Sequence, residues 1–197
     1  YGHADMLSID LSIKGVNMIT DNGTYLYNGK KEWRDYFKGT YGHNTICLDK
    51  EDQMVNHRRF KWLKRTDARV EKWVENDKIG FVHGIQYGYK RLKVPATHHR
   101  LIFLIKDEYV VLGDYLEGLG KHEIDIGFNF DALEYSIDEE QRVDILGEKC
   151  GLTILQYNYN YFDRKFYRGD TSPIDGWRST EYGIKEPCIT MRYNNKE

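Results

Sequence analysis

The chain has 197 residues, and its 29 lysines and arginines against 31 aspartates and glutamates give a formal net charge of -2. This near-neutral balance excludes a polyanion binder held by bulk charge, although it leaves room for a local basic face. The length suits one domain with a substantial core. The three cysteines are widely spaced and form no disulfide framework. No apolar run reaches the roughly 18 residues of a membrane helix.

A period of two dominates the hydrophobic pattern, which indicates β-strands. In chain order, the predicted strands cover residues 7–13, 16–20, 45–48, 56–65, 69–74, 79–87, 101–105, 109–114, 123–130, 142–146, 153–157 and 185–193. The one predicted helix is Lys31–Lys38, in which Trp33 and Phe37 lie four residues apart on a shared face. Short strands joined by hairpin-length turns predict an all-β fold, an antiparallel β-sandwich with one short helix.

The organisation of the chain predicts a single β-sandwich domain over residues 1–197, because no repeat, linker or low-complexity tract divides it. Residues 163–184 contain glycines and a proline and are predicted to form a long loop, which either has a function or only covers a sheet edge. The chain opens on a dense polar motif, Tyr1-Gly2-His3-Ala4-Asp5, with neither an initiator Met nor a signal peptide, so we expect a fragment of a longer protein.

Two histidines and an aspartate are candidates for a metal site. His3 precedes the first predicted strand, and Asp21 follows the second. If these strands pair as a hairpin, their outer ends meet and His3 lies near Asp21, while His43 enters a third strand and supplies another group. Two imidazoles and a carboxylate suit Zn²⁺. The alternative is that these are ordinary hydrogen-bonded residues at strand ends.

A basic and aromatic segment lies at residues 56–65. As one strand, it would place Trp62 on one face with Phe60, and Arg59 on the opposite face. Arginines beside aromatic rings suit acidic sugars, since the guanidinium pairs with carboxylate or sulfate and the rings stack on pyranose faces. The same pattern also suits single-stranded nucleic acid, or an exposed strand whose charges keep a sheet edge soluble.

A second histidine cluster, Thr97-His98-His99-Arg100, begins a strongly apolar strand. It could bind an anion or complete a catalytic site. Successive side chains on a strand face opposite ways, so at most one of the two histidines can point into a given cleft. The plainer expectation is one packed histidine and one solvated histidine.

Taken together, several motifs resemble a known family in the family's own order. They are His3-Ala4-Asp5-Met6-Leu7-Ser8, Asp21-Asn22-Gly23-Thr24-Tyr25, Trp33-Arg34-Asp35-Tyr36-Phe37, His43-Asn44-Thr45, Arg59-Phe60-Lys61-Trp62, Thr97-His98-His99-Arg100 and Gly176-Trp177 followed by Tyr182-Gly183-Ile184-Lys185-Glu186-Pro187. This series resembles the C-terminal domain of the heparinase II/III-like polysaccharide lyases. The resemblance covers nearly the whole chain.

The resemblance implies an enzyme with an α-helical toroid upstream of a β-sandwich, and the toroid would be a partner within the same polypeptide. It also implies a metal, usually zinc, held by His3, Asp21 and His43. The implied reaction is β-elimination in an acidic, uronate-containing polysaccharide such as a glycosaminoglycan or alginate. The isolated domain is then expected to be inactive without the toroid.

The resemblance also implies an acid and a base, usually Tyr and His. Many members place a catalytic His two positions before the first metal ligand, where this chain has Tyr1. We therefore nominate Tyr1 and His98 as catalytic candidates, and Tyr36 as a further residue that either lines the cleft or packs the helix. The substrate-binding candidates are Arg59, Trp62, His99 and Arg100.

The competing hypothesis is a non-catalytic carbohydrate-binding module or a glycan-biosynthesis accessory protein with the same fold. A nucleic-acid partner is disfavoured by the net charge, and no membrane partner is expected. The resemblance implies a periplasmic or secreted location, with the cytoplasm as the alternative.

Overall fold

The computed structural model describes residues 2–58, 61–132, 134–157 and 159–195. Within these ranges the chain forms short antiparallel strands and one α-helix, α1 (Lys31–Lys38). The strands are β1 (Leu11–Ile13), β2 (Val16–Ile19), β3 (Ile46–Leu48), β4 (Val55–Arg58), β5 (Lys61–Lys64), β6 (Ala68–Glu75), β7 (Ile79–Gln86), β8 (Ala96–Ile105), β9 (Tyr109–Gly118), β10 (Ile124–Phe130), β11 (Glu134–Ile137), β12 (Val143–Leu146), β13 (Gly151–Ile154), β14 (Phe162–Tyr167), β15 (Asp170–Thr171), β16 (Ile174–Asp175), β17 (Trp177–Glu181), β18 (Ile184–Pro187) and β19 (Ile189–Asn195). The predicted all-β fold with one short helix is confirmed.

The chain divides into two compact units, which are described separately. The first unit consists of Tyr1–Glu51 with Glu123–Glu197, and the second is Asp52–His122. The assignment of all 197 residues to a single sandwich domain stays a prediction.

The core of the first unit lies between two sheets. A six-stranded sheet has the order β1-β2-β10-β19-β14, with β3 also paired to β10, and a second sheet has the order β11-β12-β13. Buried side chains from both sheets meet in one cluster, in which Met18 and Phe130 of the larger sheet contact the same core as Val143 and Ile145 of the smaller one. Two sheets that share one apolar interior are the defining feature of a sandwich.

Helix α1 begins after Lys30 and ends at Gly39, whose backbone N–H donates to the carbonyl of Asp35. Glu32 in the first turn and Lys38 in the last turn both complement the helix dipole. The buried ring of Phe37 anchors the helix in the first unit. The helix thereby presents the carbonyl of Lys38 to the N-terminal segment of the chain.

The second unit contains a four-stranded antiparallel sheet of order β6-β7-β8-β9 and the hairpin β4–β5. Strands β8 and β9 pair without interruption from Ala96↔Gly118 to Ile105↔Tyr109. This continuous register determines which residues of β9 lie opposite the histidine cluster of β8.

Three local predictions are wrong. The strand expected at 7–13 begins only at Leu11, because the chain turns before it: Leu7 has a left-handed backbone (φ 62°), and the N–H of Ser8 donates to the carbonyl of Asp5 (2.9 Å). The segment 56–65 forms two antiparallel strands, with Asn56 paired to Trp62, so its side chains do not follow one alternation. The strand expected at 185–193 is divided into β18 and β19.

The predicted long loop at 163–184 is also wrong, because this stretch contains strands. Most of β14 falls within it, and β14 pairs with β19 in the main sheet, with Phe166 opposite Met191. Two short hairpins, β15–β16 and β17–β18, take up most of the remainder. Glycine at 176 (φ 70°) turns the chain between the two hairpins, where a side chain would meet the backbone of Arg168.

Two further observations bear on chemistry. Cys47, Cys150 and Cys188 are all free thiols, and burial raises the pKa of the Cys188 thiol to about 11. Among the residues that the structure describes, no helix has both the length and the apolar character needed to cross a membrane.

Candidate metal centre

The first unit brings the three predicted metal ligands together. Strands β1 and β2 pair as a hairpin, with Leu11 opposite Ile19, so the segments before β1 and after β2 lie side by side. His3 precedes this hairpin, Asp21 follows it, and His43 comes directly after the 3₁₀ turn Thr40–Gly42. One candidate ligand atom from each residue lies within 4.8 Å of the others.

Hydrogen bonds to its backbone groups hold the His3 segment in place. The N–H of Ala4 donates to the carbonyl of Lys38 at the end of α1 (3.0 Å), and the hydroxyl of Thr40 donates to the carbonyl of Ala4 (2.7 Å). Thr45 likewise donates its hydroxyl to the carbonyl of Met6 (2.9 Å). The N-terminal segment is therefore attached to the same turn that carries His43.

Asn44 connects the pieces of the site. Its amide nitrogen donates to the carbonyls of Ile9 (2.8 Å) and Thr20 (2.9 Å), and its amide oxygen accepts from the backbone N–H of Asn129 (2.8 Å). These buried hydrogen bonds join both edges of the β1–β2 hairpin to the His43 segment and to β10. The sequence analysis did not assign this role, and its only signal was the position of Asn44 within His43-Asn44-Thr45.

The three candidate ligands make close polar contacts. His43 is fully buried, and its Nδ1 lies 2.6 Å from Oδ1 of Asp21. The second oxygen of Asp21 accepts a hydrogen bond from the backbone N–H of Gly23 (2.8 Å). The rings of His3 and His43 lie 5.2 Å apart, centroid to centroid, with an interplanar angle of 39°.

For His3 and Asp21, burial and neighbouring groups favour the protonation states that a metal requires. Burial and the neighbouring His43 lower the pKa of His3 below its ordinary value. Burial alone would raise the pKa of Asp21, but the hydrogen bond and charge of His43, with the Gly23 N–H, outweigh it and leave that pKa lowered. A neutral imidazole and an ionised carboxylate are the forms that bind metal.

One further observation supports the fit of this donor set to zinc. The Nε2 atom of His43 is buried and finds no hydrogen-bond partner within the part of the chain that the structure describes. A buried polar atom without a partner is costly, and a metal bond is one way to satisfy it. Two imidazoles and one carboxylate match the ligand preference of Zn²⁺ and leave a fourth position open.

The second unit contains the other predicted histidines. His98 Nε2 lies 2.7 Å from Oδ1 of Asp114, and Arg100 donates to both oxygens of the same carboxylate, at 2.8 and 2.9 Å. His98, His99 and Arg100 are all buried. The expectation of one packed and one solvated histidine is therefore wrong, because both imidazoles are buried: Asp114 contacts His98, and His99 contacts the exposed Glu117 at the edge of the cluster.

His99 lies in a stack of polar rings. Its ring is stacked on Tyr115 (4.3 Å, 14°), its Nδ1 lies 3.0 Å from Nε2 of His83, and its Nε2 lies 3.3 Å from Oε2 of Glu117. The sequence analysis missed Asp114, Tyr115 and Glu117 as partners. Only the β8–β9 register identifies these partners, and no local sequence motif predicts that register.

The remaining candidates have the following places. Trp62 is buried on β5 of the second unit. The hydroxyl of Tyr36 lies 3.3 Å from both the N–H and the carbonyl of Trp177, and burial raises the Tyr36 pKa well above its ordinary value. Tyr36 thus packs α1 against β17. Tyr1 and Arg59 lie outside the described residues.

Comparison with known proteins identifies relatives along almost the whole chain. The model of a protein family described as heparinase II/III-like, C-terminal, matches residues 1–193. A heparin-sulfate lyase from Bacteroides stercoris is 24% identical over 193 residues, covering 96% of this chain and 26% of the relative. A heparin-sulfate lyase from Bacteroides thetaiotaomicron is 28% identical over 172 residues, covering 84% of this chain and 22% of that relative.

A solved structure shares the fold. A heparinase III gene product superposes with a TM-score of 0.76 at 20% identity, covering 99% of this chain and 28% of the other. The chain therefore spans about a quarter of the length of the proteins that it matches.

Proposed function

The chain belongs to the heparinase II/III-like C-terminal family, and on that basis we propose that it is the C-terminal domain of a lyase that cleaves a uronate-containing glycan by β-elimination. The family match over residues 1–193 is the single observation that carries this proposal. Relatives named heparin-sulfate lyases favour a sulfated glycosaminoglycan as the substrate class.

The proposed activity requires more than this chain. The chain spans about a quarter of the relatives, so we propose that an upstream domain of the same polypeptide, expected to be the α-helical toroid, completes the substrate cleft. On this proposal the isolated chain has the fold of a lyase domain and no activity by itself.

The chemistry sets clear demands on the complete site. A base removes the proton at C5 of the uronate, and the bond from C4 of the same ring to the glycosidic oxygen breaks as the C4–C5 double bond forms. An acid protonates the leaving oxygen, which stays on C1 of the neighbouring sugar. The intermediate carries negative charge next to the carboxylate, so cationic or hydrogen-bonding groups must face that carboxylate. Tyr1, which stands where many members have a catalytic His, remains one candidate acid or base from this chain.

For the metal, we propose that His3, Asp21 and His43 hold one zinc ion. A bound zinc ion would supply positive charge near the cleft wall and a covalent link between three separate segments. The residues themselves perform the positioning. Asp21 holds the buried ring of His43 through Nδ1, Gly23 holds the second oxygen of Asp21, and Thr40 holds the segment that carries His3.

His98 remains a candidate catalytic residue as a prediction, but its surroundings favour a structural role. It is completely buried, and its Nε2 is engaged by Asp114. A group that exchanges protons with substrate must reach the reacting atoms. The pairing of His98 and Arg100 with Asp114 instead favours a rigid β8–β9 edge.

The test is a turnover assay on the complete polypeptide that carries this chain. Heparan sulfate is the substrate, and the ultraviolet absorbance of the unsaturated uronate reports each elimination. We expect turnover that falls when His43 is replaced by alanine and that persists in His57→Ala, since His57 is exposed in the second unit. No unsaturated product from any uronate glycan, together with retained saccharide binding, would favour the non-catalytic module instead.

A further inference from the structure

A cavity of about 370 Å³ in the first unit is lined by three tyrosines and several polar side chains. The tyrosines are Tyr25, Tyr27 and Tyr182, and Glu181 also lines the wall; these four residues define the tyrosine pocket. The volume falls within the roughly 300–1,000 Å³ typical of small-molecule sites. None of these residues belongs to the candidate metal ligands or to the histidine clusters.

Backbone contacts fix the two walls of the pocket against each other. The N–H of Ser179 donates to the carbonyl of Asn22 (2.8 Å), and the N–H of Gly183 donates to the carbonyl of Tyr25 (2.8 Å). Gly23 (φ 76°) approaches β17 so closely that a Cβ would lie 2.3 Å from the carbonyl oxygen of Ser179. The pocket is thus preformed, which lowers the entropic cost of binding.

A strained backbone accompanies the pocket. Tyr25 has a left-handed φ of 59°, which is uncommon for a bulky non-glycine residue. Its ring lies 5.3 Å from that of Phe37, centroid to centroid, so the helix holds it in place. Strain of this kind persists only where the surroundings enforce it, and it concentrates at binding sites.

Two of the rings remain open to solvent. Tyr27 is 37% exposed and Tyr182 is 60% exposed, and their rings lie 5.3 Å apart with an interplanar angle of 40°. An exposed, rigid pair of tyrosines offers broad apolar faces and hydroxyl groups at low entropic cost. The C–H face of a pyranose ring and its hydroxyls match that combination.

The charge of the pocket selects among sugars. Glu181 is exposed on the wall, and no salt bridge to it occurs among the described residues. A carboxylate accepts hydrogen bonds from sugar hydroxyls and amide N–H groups. It repels sulfate and uronate groups that approach within a few ångströms. The chemistry therefore favours an uncharged ring over a sulfated or uronic one.

We propose that the tyrosine pocket binds an uncharged pyranose, of the N-acetylhexosamine class, within the glycan chain. This proposal rests on the proposed function, because the tyrosine pocket would hold the hexosamine next to the uronate that the same polypeptide cleaves. The loop from Asp21 to Tyr27 joins the two sites, since Asp21 is a candidate metal ligand and also accepts the N–H of Gly23.

The test uses the complete polypeptide and a probe that β-elimination cannot cleave, a β-1,4-linked N-acetylglucosamine tetramer without uronate. Calorimetric titration measures its Kd. We expect Tyr182→Ala to weaken binding about tenfold, because it removes one of the two exposed aromatic faces. Tyr182→Phe should bind within about threefold of wild type, because the ring is retained. Tyr157, which is 99% exposed and outside the pocket, gives the matched control Tyr157→Ala.

A second probe tests the charge argument. The same tetramer with N-sulfate in place of N-acetyl should bind the wild-type protein about tenfold more weakly than the N-acetyl tetramer does. Glu181→Gln should reduce this difference in Kd between the two tetramers. Tetramer binding by Tyr182→Ala equal to wild type, or equal affinity for both probes, overturns the subsite. A polypeptide without lyase activity that still shows the Tyr182 effect supports the subsite and rejects only the lyase proposal.

Discussion

His98 and Arg100, two residues apart on one face of β8, share a single carboxylate on β9. Nε2 of His98 and Nε of Arg100 both contact Oδ1 of Asp114, at 2.7 and 2.8 Å. Burial lowers the pKa of His98, although Asp114 opposes that shift. Burial would raise the pKa of Asp114, but the Arg100 guanidinium and the His98 hydrogen bond hold it far below its ordinary value. Both shifts favour a neutral imidazole beside an ionised carboxylate in the folded protein.

This arrangement predicts that stability falls with acidification. The unfolded His98 titrates near pH 6.5, and its folded pKa is lower, so the unfolded state binds more protons below that pH. The contribution of neutral His98 to the free energy of unfolding is complete above about pH 6.5 and declines as the pH falls towards the folded pKa. Denaturant unfolding at several pH values between 7.5 and 5 measures how the free energy of unfolding depends on pH. His98→Gln should flatten the slope, His57→Gln should not, and equal slopes for both would contradict the assignment.

The proposed zinc site predicts that His43→Ala abolishes zinc retention and the stabilisation that zinc would confer. At a zinc concentration of 100 times Kd, binding is worth about 2.7 kcal/mol of unfolding free energy. Elemental analysis of protein purified without chelators, followed by thermal unfolding with added zinc, checks both effects. Stoichiometric zinc in His43→Ala would reject the proposed ligand set, and the exposed His57→Ala should retain wild-type zinc content.

A buried ion pair in the first unit predicts a large stability loss. Arg192 bonds both oxygens of Asp175, with Nη2 at 2.9 Å from Oδ1, and both side chains are buried. Asp175→Asn removes the charge of the carboxylate that bonds the buried guanidinium directly and should lower the free energy of unfolding by about 3–5 kcal/mol. Asp138→Asn, at the solvent-exposed pair with Arg142, should have a much smaller effect. Denaturant titration of both variants compares them, and equal losses would contradict the burial argument.

The close approach of Gly23 to Ser179 predicts a steric cost at the loop that follows Asp21. Gly23→Ala combines left-handed strain of about 1–2 kcal/mol with a clash against the Ser179 carbonyl. Gly15→Ala is the matched control, since Gly15 has a similar φ of 79° but nothing within 4 Å of its added Cβ. We expect Gly23→Ala to be less stable than Gly15→Ala by about 1–3 kcal/mol, as in overpacked sites, and to bind zinc more weakly. Equal unfolding free energies would show that the loop relaxes freely.

The sequence predicted the features that depend on residues close to one another along the chain, namely most strands, the helix and one hairpin. Alternation with a period of two reflects which side chains are buried, and it identified most strands and the helix Lys31–Lys38. The proximity of His3 and Asp21 followed from a local hairpin, β1–β2, whose outer ends must meet. Family motifs then connected His43 to the same place.

The tertiary structure alone decided which distant residues meet. Asp114 lies opposite Arg100 only because β8 and β9 pair in one register, and Phe166 lies opposite Met191 only because β14 joins the sheet beside β19. Tyr27 and Tyr182, separated by 155 positions, form one pocket through loop contacts. Register and strand neighbours are selected by packing and loop closure summed over a whole sheet. Because these contributions come from residues far apart in the chain, no short stretch of sequence determines the register or the strand neighbours.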